Sequence, residues 1–219
     1  MTHQQAKGED NLTAPVVSHS RATGATLSTS PRLTILCAAR SSIYSAFPGL
    51  DVFTRTRDAW SAQPSGPVIA HPPCRCWSRS WALTSLTVEG RIKEMMLAFK
   101  CLALVRRHGG ILEQPAFSRF WNAANLPRPG LPTQPGQDWS LSVHQGNWGH
   151  RHAKPTWLFL SGIQPCQVAW SGFTLEAPSV NILADLTPGQ RSATPKAFAL
   201  WLIELASHAN PRRPAQFHD

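Results

Sequence analysis

The sequence has no apolar run long enough to cross a membrane. Its most hydrophobic stretch, residues 198–206, contains Glu204 and is far shorter than the ~18 apolar residues that a spanning helix needs. The cysteines number five, at irregular spacing, and no apolar leader precedes them, which argues against a disulfide scaffold. We therefore expect a cytoplasmic protein with free thiols and no membrane association.

Acidic residues are scarce. They number 12 against 21 lysines and arginines, so the formal net charge is +9 and the sequence pI is about 10.1. This balance favours a polyanionic partner such as nucleic acid. Tyrosine occurs once, whereas tryptophan occurs nine times. Some tryptophans could stack on bases, although each is explained equally well as a core or loop-packing residue.

The chain length of 219 residues suits one domain with tails. Residues 1–30 lack apolar periodicity and are expected to form a disordered N-terminal tail. Residues 209–219, which place two arginines between prolines, are expected to form a basic C-terminal tail. The folded domain is therefore predicted to span residues 31–208.

Short apolar runs alternate with helical patterns in this domain. Residues 33–39, 67–73 and 110–115 have the continuous apolar character of buried parallel strands. Residues 88–108 form an amphipathic helix between the last two strands, a crossover that makes those strands parallel. Its predicted apolar stripe contains Ile92, Met95, Met96, Phe99, Leu102 and Ala103.

The last third of the chain predicts a hairpin and a closing helix. Residues 139–145 and 154–162 have strand character and are joined by the loop GNWGHRHA. Thr194 is expected to be the N-cap of a final helix, with Pro195 at its first position. The predicted fold class is therefore α/β, with a single Rossmann-like sheet that is largely parallel and has a late antiparallel hairpin.

Chemically capable residues follow two of the predicted strands. His71, Pro72, Pro73 and Cys74 come after one strand, and Glu113 ends the next. Ligands of open α/β sheets bind outside the carboxyl ends of the strands. Cys74 and Glu113 are therefore expected to face one pocket.

These motifs resemble those of the cytosine-C5 DNA methyltransferases. HPPCRCWS and ILEQP are similar to the Pro-Pro-Cys loop and the Glu-Asn turn that follow adjacent strands in that family. HQGNWGHRHAKPTWLFLSG and QRSATPKAFALWLIELA are similar to its later segments, especially in reduced, phage-type members. The resemblance covers roughly residues 33–206.

The resemblance implies a methyltransferase-type sheet, S-adenosylmethionine as donor and no metal. It implies that Cys74 is the nucleophile and Glu113 the acid. The substrate would be nucleic acid, DNA rather than RNA, or a nucleotide. The residues then expected to bind substrate are Pro73, Arg75, Ser78, Gln114, Gln145 and Lys154.

The chemistry itself requires these residue types. Cytosine C5 becomes nucleophilic only after addition at C6, and a thiolate adds and leaves readily. A protonated carboxyl group at N3 makes the ring electrophilic enough for that addition. Arg75, Arg79 or Arg151 could lower the pKa of the thiol or hold a phosphate.

The sequence departs from the family at three points. No glycine follows the first strand before Gly49, which predicts weak binding of S-adenosylmethionine. Residues 163–190 are too few for a target-recognition domain, and Gln114 replaces the family's asparagine. Two hypotheses follow: an enzyme that modifies a pyrimidine base, or a catalytically inactive relative that binds nucleic acid in protection or regulation.

Two zinc alternatives are weaker. A site from His71, Cys74 and Cys76 would need help from a histidine near residue 150, and its His-x-x-Cys-x-Cys spacing is uncommon for zinc. Zinc deaminases carry His-x-Glu and Pro-Cys-x-x-Cys, whereas this chain has Pro-Cys-x-Cys and no His-x-Glu.

Overall fold

A computed structural model describes residues 32–54, 56–78, 81–131, 133–169 and 186–211. Six strands form one sheet in the order β2-β1-β3-β4-β6-β5. Strands β1 to β4 are parallel to one another, and β6 is antiparallel to both β4 and β5. The bounds are β1 Thr34–Ala38, β2 Asp51–Thr54, β3 Val68–Ala70, β4 Gly110–Pro115, β5 Trp139–His144 and β6 Pro155–Ser161. The predicted α/β class, mostly parallel sheet and late hairpin are confirmed.

The central strands are buried on both faces because helices cover each side. Ile35, Ile69 and Ile111 stand in register on one face, where they share a core with the last helix, α4 (Lys196–Ser207). Leu36, Ala70 and Leu112 lie on the other face and share a core with α1 (Val88–His108). Two shorter helices, α2 (Phe120–Ala123) and α3 (Pro188–Ser192), lie in the connections.

Helix α1 has the predicted bounds but not the predicted buried face. Thr87 caps its N-terminus by accepting a hydrogen bond from the Gly90 N–H. The fully packed residues are Ala98, Cys101, Leu102 and Val105. Ile92 and Met96 are 56% and 51% exposed, and Ala103 is exposed too, so the predicted stripe is wrong at these three positions. The helix approaches the sheet through its smaller residues, which rotates the buried face by about one position.

The first turns of α1 also extend past the sheet. At ~1.5 Å per residue the helix is about 30 Å long, whereas a six-residue strand spans about 20 Å. Because α1 follows β3 and precedes β4, its N-terminal turns lie at the carboxyl ends of those strands. The overhang brings Glu94 beside the loop that carries Cys74.

Three further sequence expectations are corrected or extended. The α4 N-cap is Pro195 rather than Thr194: Pro195 is extended (φ −57°, ψ 144°) and its carbonyl accepts the first intrahelical bond from Ala199 N–H at 2.9 Å. Strand β2 was not predicted, because its sequence, DVFT, is short and only partly apolar. Gly110 is required at the α1–β4 junction, since it has φ +129° and a side chain there would overlap the Val68 carbonyl.

The predicted tail at residues 1–30 lies outside the described residues, as do residues 212–219 of the basic tail and residues 170–185 of the short connection. Within the described part of the chain, no helix combines the length and apolarity needed to cross a membrane.

Candidate active site

Strand pairing brings the ends of β3 and β4 together. The two strands are parallel neighbours with Ala70 opposite Leu112, so His71 and Glu113 occupy the next positions at the same edge. His71 is held there by its N–H, which donates to Leu36 O at 3.0 Å. The Pro-Pro-Cys loop continues from His71 and places Cys74 beside this edge.

Glu113 is the centre of the hydrogen-bond network. Its Oε2 lies 2.9 Å from His71 Nδ1, and its Oε1 accepts a hydrogen bond from Gln145 Nε2 at 3.2 Å. The same Gln145 nitrogen also donates to Thr156 Oγ1 at 3.0 Å. Gln145 is buried in the turn that follows β5 and thereby fixes the orientation of the Glu113 carboxyl group.

His71 links Glu113 to the only tyrosine of the chain. Its Nε2 lies 3.1 Å from the Tyr44 hydroxyl, and the two rings are 5.4 Å apart between centroids. Tyr44 is buried in a 3₁₀ turn, Ile43–Ala46, that follows β1. Because a carboxylate only accepts hydrogen bonds, Nδ1 carries the hydrogen when Glu113 is ionised.

Gln114 holds the Pro-Pro-Cys loop in place. It is fully buried; its Nε2 donates to Pro72 O at 2.6 Å and its Oε1 accepts from Ser118 Oγ at 3.2 Å. Although the sequence suggested that Gln114 contacts substrate, these contacts give it a positioning function between the two loops.

The Cys74 thiol is neutral in the free protein. Desolvation by the surrounding atoms and the charge of Glu113 raise its pKa, while a backbone hydrogen bond and the charge of Lys154 lower it less. Cys74 as a whole residue is nevertheless exposed, so a substrate can reach it. The thiol therefore shares an electrostatic environment with Glu113 and Lys154.

The pKa of Glu113 is lowered in the free protein, whereas the role of an acid requires a protonated carboxyl group. Burial raises its pKa, but the hydrogen bond and charge of His71, together with the charge of Lys154, outweigh burial and lower the pKa below its ordinary value. The sequence did not reveal this because the lowering depends on a histidine 42 residues away along the chain.

Lys154 completes the site from the loop before β6. Burial lowers its pKa, and the charges of Glu113 and Cys74 partly restore it. Its Nζ donates to Ala193 O at 2.7 Å and to Ser192 O at 3.3 Å. Its backbone has φ +43°, an uncommon conformation for lysine, and its carbonyl accepts from Gln145 N–H at 3.2 Å. The fold thus holds Lys154 in a strained position that supplies positive charge to Cys74 and Glu113.

The other residues predicted around the substrate lie on the side of the loop that faces α1. Arg75 Nε donates to the Glu94 carboxylate at 2.8 and 3.0 Å, and Ser78 Oγ donates to Arg75 O at 3.0 Å. Cys76 is buried with its Sγ 3.6 Å from Glu94. Pro73 is half-buried. Arg75 is therefore committed to an ion pair with α1.

The structure brings together four of the predicted residues: Cys74, Glu113, Gln145 and Lys154. It adds His71, which the sequence had suggested only as a metal ligand, and Tyr44, which carried no sequence signal. The contact between His71 and Glu113 could have been found from the pairing of β3 with β4, because that pairing aligns the residue after Ala70 with Glu113.

The zinc alternatives gain no support from this geometry. His71 is bound to Glu113 and Tyr44, whereas Cys76 faces Glu94. His150 has Nδ1 2.9 Å from His152 O and Nε2 3.1 Å from Gln190 O in α3. Among the residues that the structure describes, no three His, Cys, Asp or Glu side chains are grouped to hold a metal ion.

The site therefore offers a thiol, a carboxyl group with a histidine relay, and a partly buried cation at the edge of one sheet. This set can add a sulfur nucleophile to an electron-poor ring and exchange a proton with that ring. No protein-family model, no curated protein and no solved structure matches the chain.

Proposed function

We propose that the protein activates a cytosine ring in nucleic acid, with DNA as the preferred substrate, by adding the Cys74 sulfur to C6. The observation that supports the proposal is the electrostatic coupling of Cys74 and Glu113 at the ends of two adjacent parallel strands. The charge of +9 favours a polyanionic substrate. A mostly parallel sheet that ends in an antiparallel hairpin agrees with the Rossmann-like, methyltransferase-type fold that the resemblance implies.

Cys74 and Glu113 together hold the one proton that the reaction needs, but in the free protein that proton is on Cys74 rather than on Glu113. Cys74 is a thiol and Glu113 a carboxylate, whereas addition needs a thiolate and a carboxylic acid. Transfer of one proton from Cys74 to Glu113 produces the reactive pair without any net proton uptake. Protonation of Glu113 also removes the charge that raises the pKa of Cys74, so the two changes favour each other.

The addition then balances in electrons and protons. The S–C6 bond forms, the C5–C6 π pair moves to C4–C5, and the C4–N3 π pair moves to N3, which takes the Glu113 proton. C5 becomes an enamine carbon that can take up a proton or another electrophile. Loss of a C5 proton re-forms the enamine. Return of the N3 proton to Glu113 then restores the C4–N3 and C5–C6 double bonds, and the Cys74 sulfur leaves as a thiolate. A base inside a duplex would have to leave its stack, which favours single-stranded substrate.

The end of β1 does not fit S-adenosylmethionine, the donor that the resemblance implies. The chain between Ala38 and Gly49 has no glycine to form a backbone cradle, and the Tyr44 ring is buried in the turn that follows β1. Cys37 has φ +59° and faces Cys101, with the two sulfurs 3.7 Å apart. We therefore propose activation of the base and assign no donor.

The second candidate is a nucleic-acid-binding protein without catalysis. The unusual end of β1 favours this function, because a methyltransferase without its cofactor loop would keep only the surface that receives the substrate. A reaction that needs no methyl donor distinguishes an enzyme that modifies the base from a protein that only binds nucleic acid.

The test is exchange of the C5 hydrogen. Addition at C6 makes C5 basic, so a single-stranded oligonucleotide with [5-³H]cytosine should release tritium to water without any donor. Cys74→Ser should reduce release to background, whereas Cys76→Ser should retain it, because Cys76 faces α1. Glu113→Gln should slow release by ~10²-fold or more. If the wild-type protein binds the oligonucleotide and releases no tritium, the binding function is the better account.

A further inference from the structure

An exposed aromatic surface borders the candidate active site. It consists of Phe117, Trp157, Trp81 and Arg119, which we call the aromatic ledge. Phe117 lies four residues after Glu113 in the chain, and Trp81 lies seven residues after Cys74. Single exposed apolar residues are common on protein surfaces, but a group of aromatic rings beside a reactive centre requires an explanation.

Phe117 is held outward at a cost to its backbone. It has φ +62°, a conformation that is costly for a bulky residue, and it is 69% exposed. The inner side of its ring packs on Trp157, with centroids 4.9 Å apart. Trp157 in turn packs on the buried Trp121 at 5.5 Å. The Phe117 ring therefore packs on Trp157 and leaves most of its surface open to solvent.

A second aromatic group lies on the other active-site loop. Trp81 is 41% exposed, and the Arg119 guanidinium carbon lies 5.2 Å from its ring centroid. The segment of residues 116–119 is hydrogen-bonded to both loops: Ala116 N–H donates to Pro155 O at 2.9 Å, and Arg119 N–H donates to Trp77 O at 3.0 Å. The ledge is therefore fixed to the loops that carry Cys74 and Lys154.

We infer that the aromatic ledge stacks the unpaired bases that flank the target cytosine in single-stranded DNA, an inference that rests on the proposed function. Open aromatic faces stack any base, and a guanidinium beside them attracts the adjacent phosphate. Arg119 adds positive charge within the ledge, and Lys154 adds charge next to Pro155, which accepts a hydrogen bond from Ala116 beside Phe117. This charge matches a polynucleotide rather than an apolar protein surface. Bases in a duplex have their faces covered, so the ledge selects unpaired strands.

The experiment is anisotropy titration of a fluorescent oligodeoxynucleotide against the full chain at several salt concentrations. Phe117→Ala and Trp81→Ala should each weaken single-strand binding by about 10-fold, which is typical for loss of one stacked base. Phe117→Trp should retain the affinity. Phe117→Asn should reproduce the loss of affinity without folding strain, because asparagine tolerates positive φ. Leu131→Ala, at an aliphatic residue 63% exposed, is the matched control and should change nothing.

Salt dependence separates stacking from charge. Phe117→Ala should leave the slope of log affinity against log salt unchanged between ~50 and ~200 mM, because no phosphate contact is lost. Equal effects of Phe117→Ala and Leu131→Ala, or equal losses on a duplex of the same sequence, would overturn the inference. The titration involves no chemistry, so a ledge effect without tritium release would leave the inference standing and reject the enzyme. Tritium release with no effect of the ledge variants on binding would support the enzyme and reject the inference about the aromatic ledge.

Discussion

The end of β1 and the ends of β3 and β4 differ in what they offer a ligand. At β3 and β4, Cys74, Glu113, His71 and Lys154 share hydrogen bonds and charge in one cluster. At β1, Tyr44 fills the core and its hydroxyl faces His71. The end of β1 is thus joined to the cluster at β3 and β4 through the contact between Tyr44 and His71, and the comparison teaches that the two regions form one connected site.

The largest expected effect concerns the β1 end. If Tyr44 occupies the space that a methyl donor would need, S-adenosylmethionine should bind with a dissociation constant weaker than ~1 mM, about 10³-fold weaker than a low-micromolar site. Isothermal calorimetry with the full chain measures this. A low-micromolar dissociation constant would show that the β1 end binds a methyl donor, and it would support methyl transfer.

The next effect concerns how the Pro-Pro-Cys loop is held. Gln114→Ala removes the donor to the buried Pro72 carbonyl and should lower the free energy of unfolding by about 1–3 kcal/mol in urea denaturation. Gln137→Ala, at an exposed glutamine, should change it by less than ~0.5 kcal/mol. Equal effects of the two substitutions would show that Gln114 does not position the loop.

A smaller effect should follow from loss of the histidine relay. In His71→Gln the main causes that lower the pKa of Glu113 are removed while burial remains, so the pKa of Glu113 should rise. Carbon-13 NMR of labelled glutamate carboxyl groups measures it. Tyr44→Phe keeps the ring and His71 and should leave the pKa of Glu113 nearly unchanged. If Glu113 titrates at the same pH in His71→Gln and in the wild-type protein, His71 does not lower the pKa of Glu113 and the prediction is wrong.

Much of the fold could be predicted because it depends on local patterns. The strands at residues 33–39 and 110–115 follow from continuous apolar runs, and helix α1 follows from its amphipathic pattern. Strand β2 could not be predicted, because four partly polar residues become a strand only by pairing with β1. The buried face of α1 depends on how closely Ala98 and Cys101 approach the sheet, which periodicity does not encode.

The candidate site divides in the same way. Cys74 and Glu113 were predictable, since the two motifs follow strands separated by one helix. The contacts of His71 with Glu113 and Tyr44 join residues 42 and 27 positions apart, and the charge states that result depend on them. The lowered pKa of Glu113 could therefore not be predicted from the sequence.

The central claim is that Cys74 and Glu113 form one coupled site, and the pH dependence of Cys74 alkylation tests it most directly. Iodoacetamide labelling of the full chain, followed by peptide mass spectrometry, gives the thiolate fraction of Cys74 from pH 6 to about 10, with the exposed Cys166 as internal reference. Glu113→Gln removes a negative charge that raises the pKa of Cys74, so alkylation of Cys74 should begin at lower pH than in the wild-type protein while Cys166 is unaffected. Superimposable Cys74 profiles for the two proteins would contradict the claim.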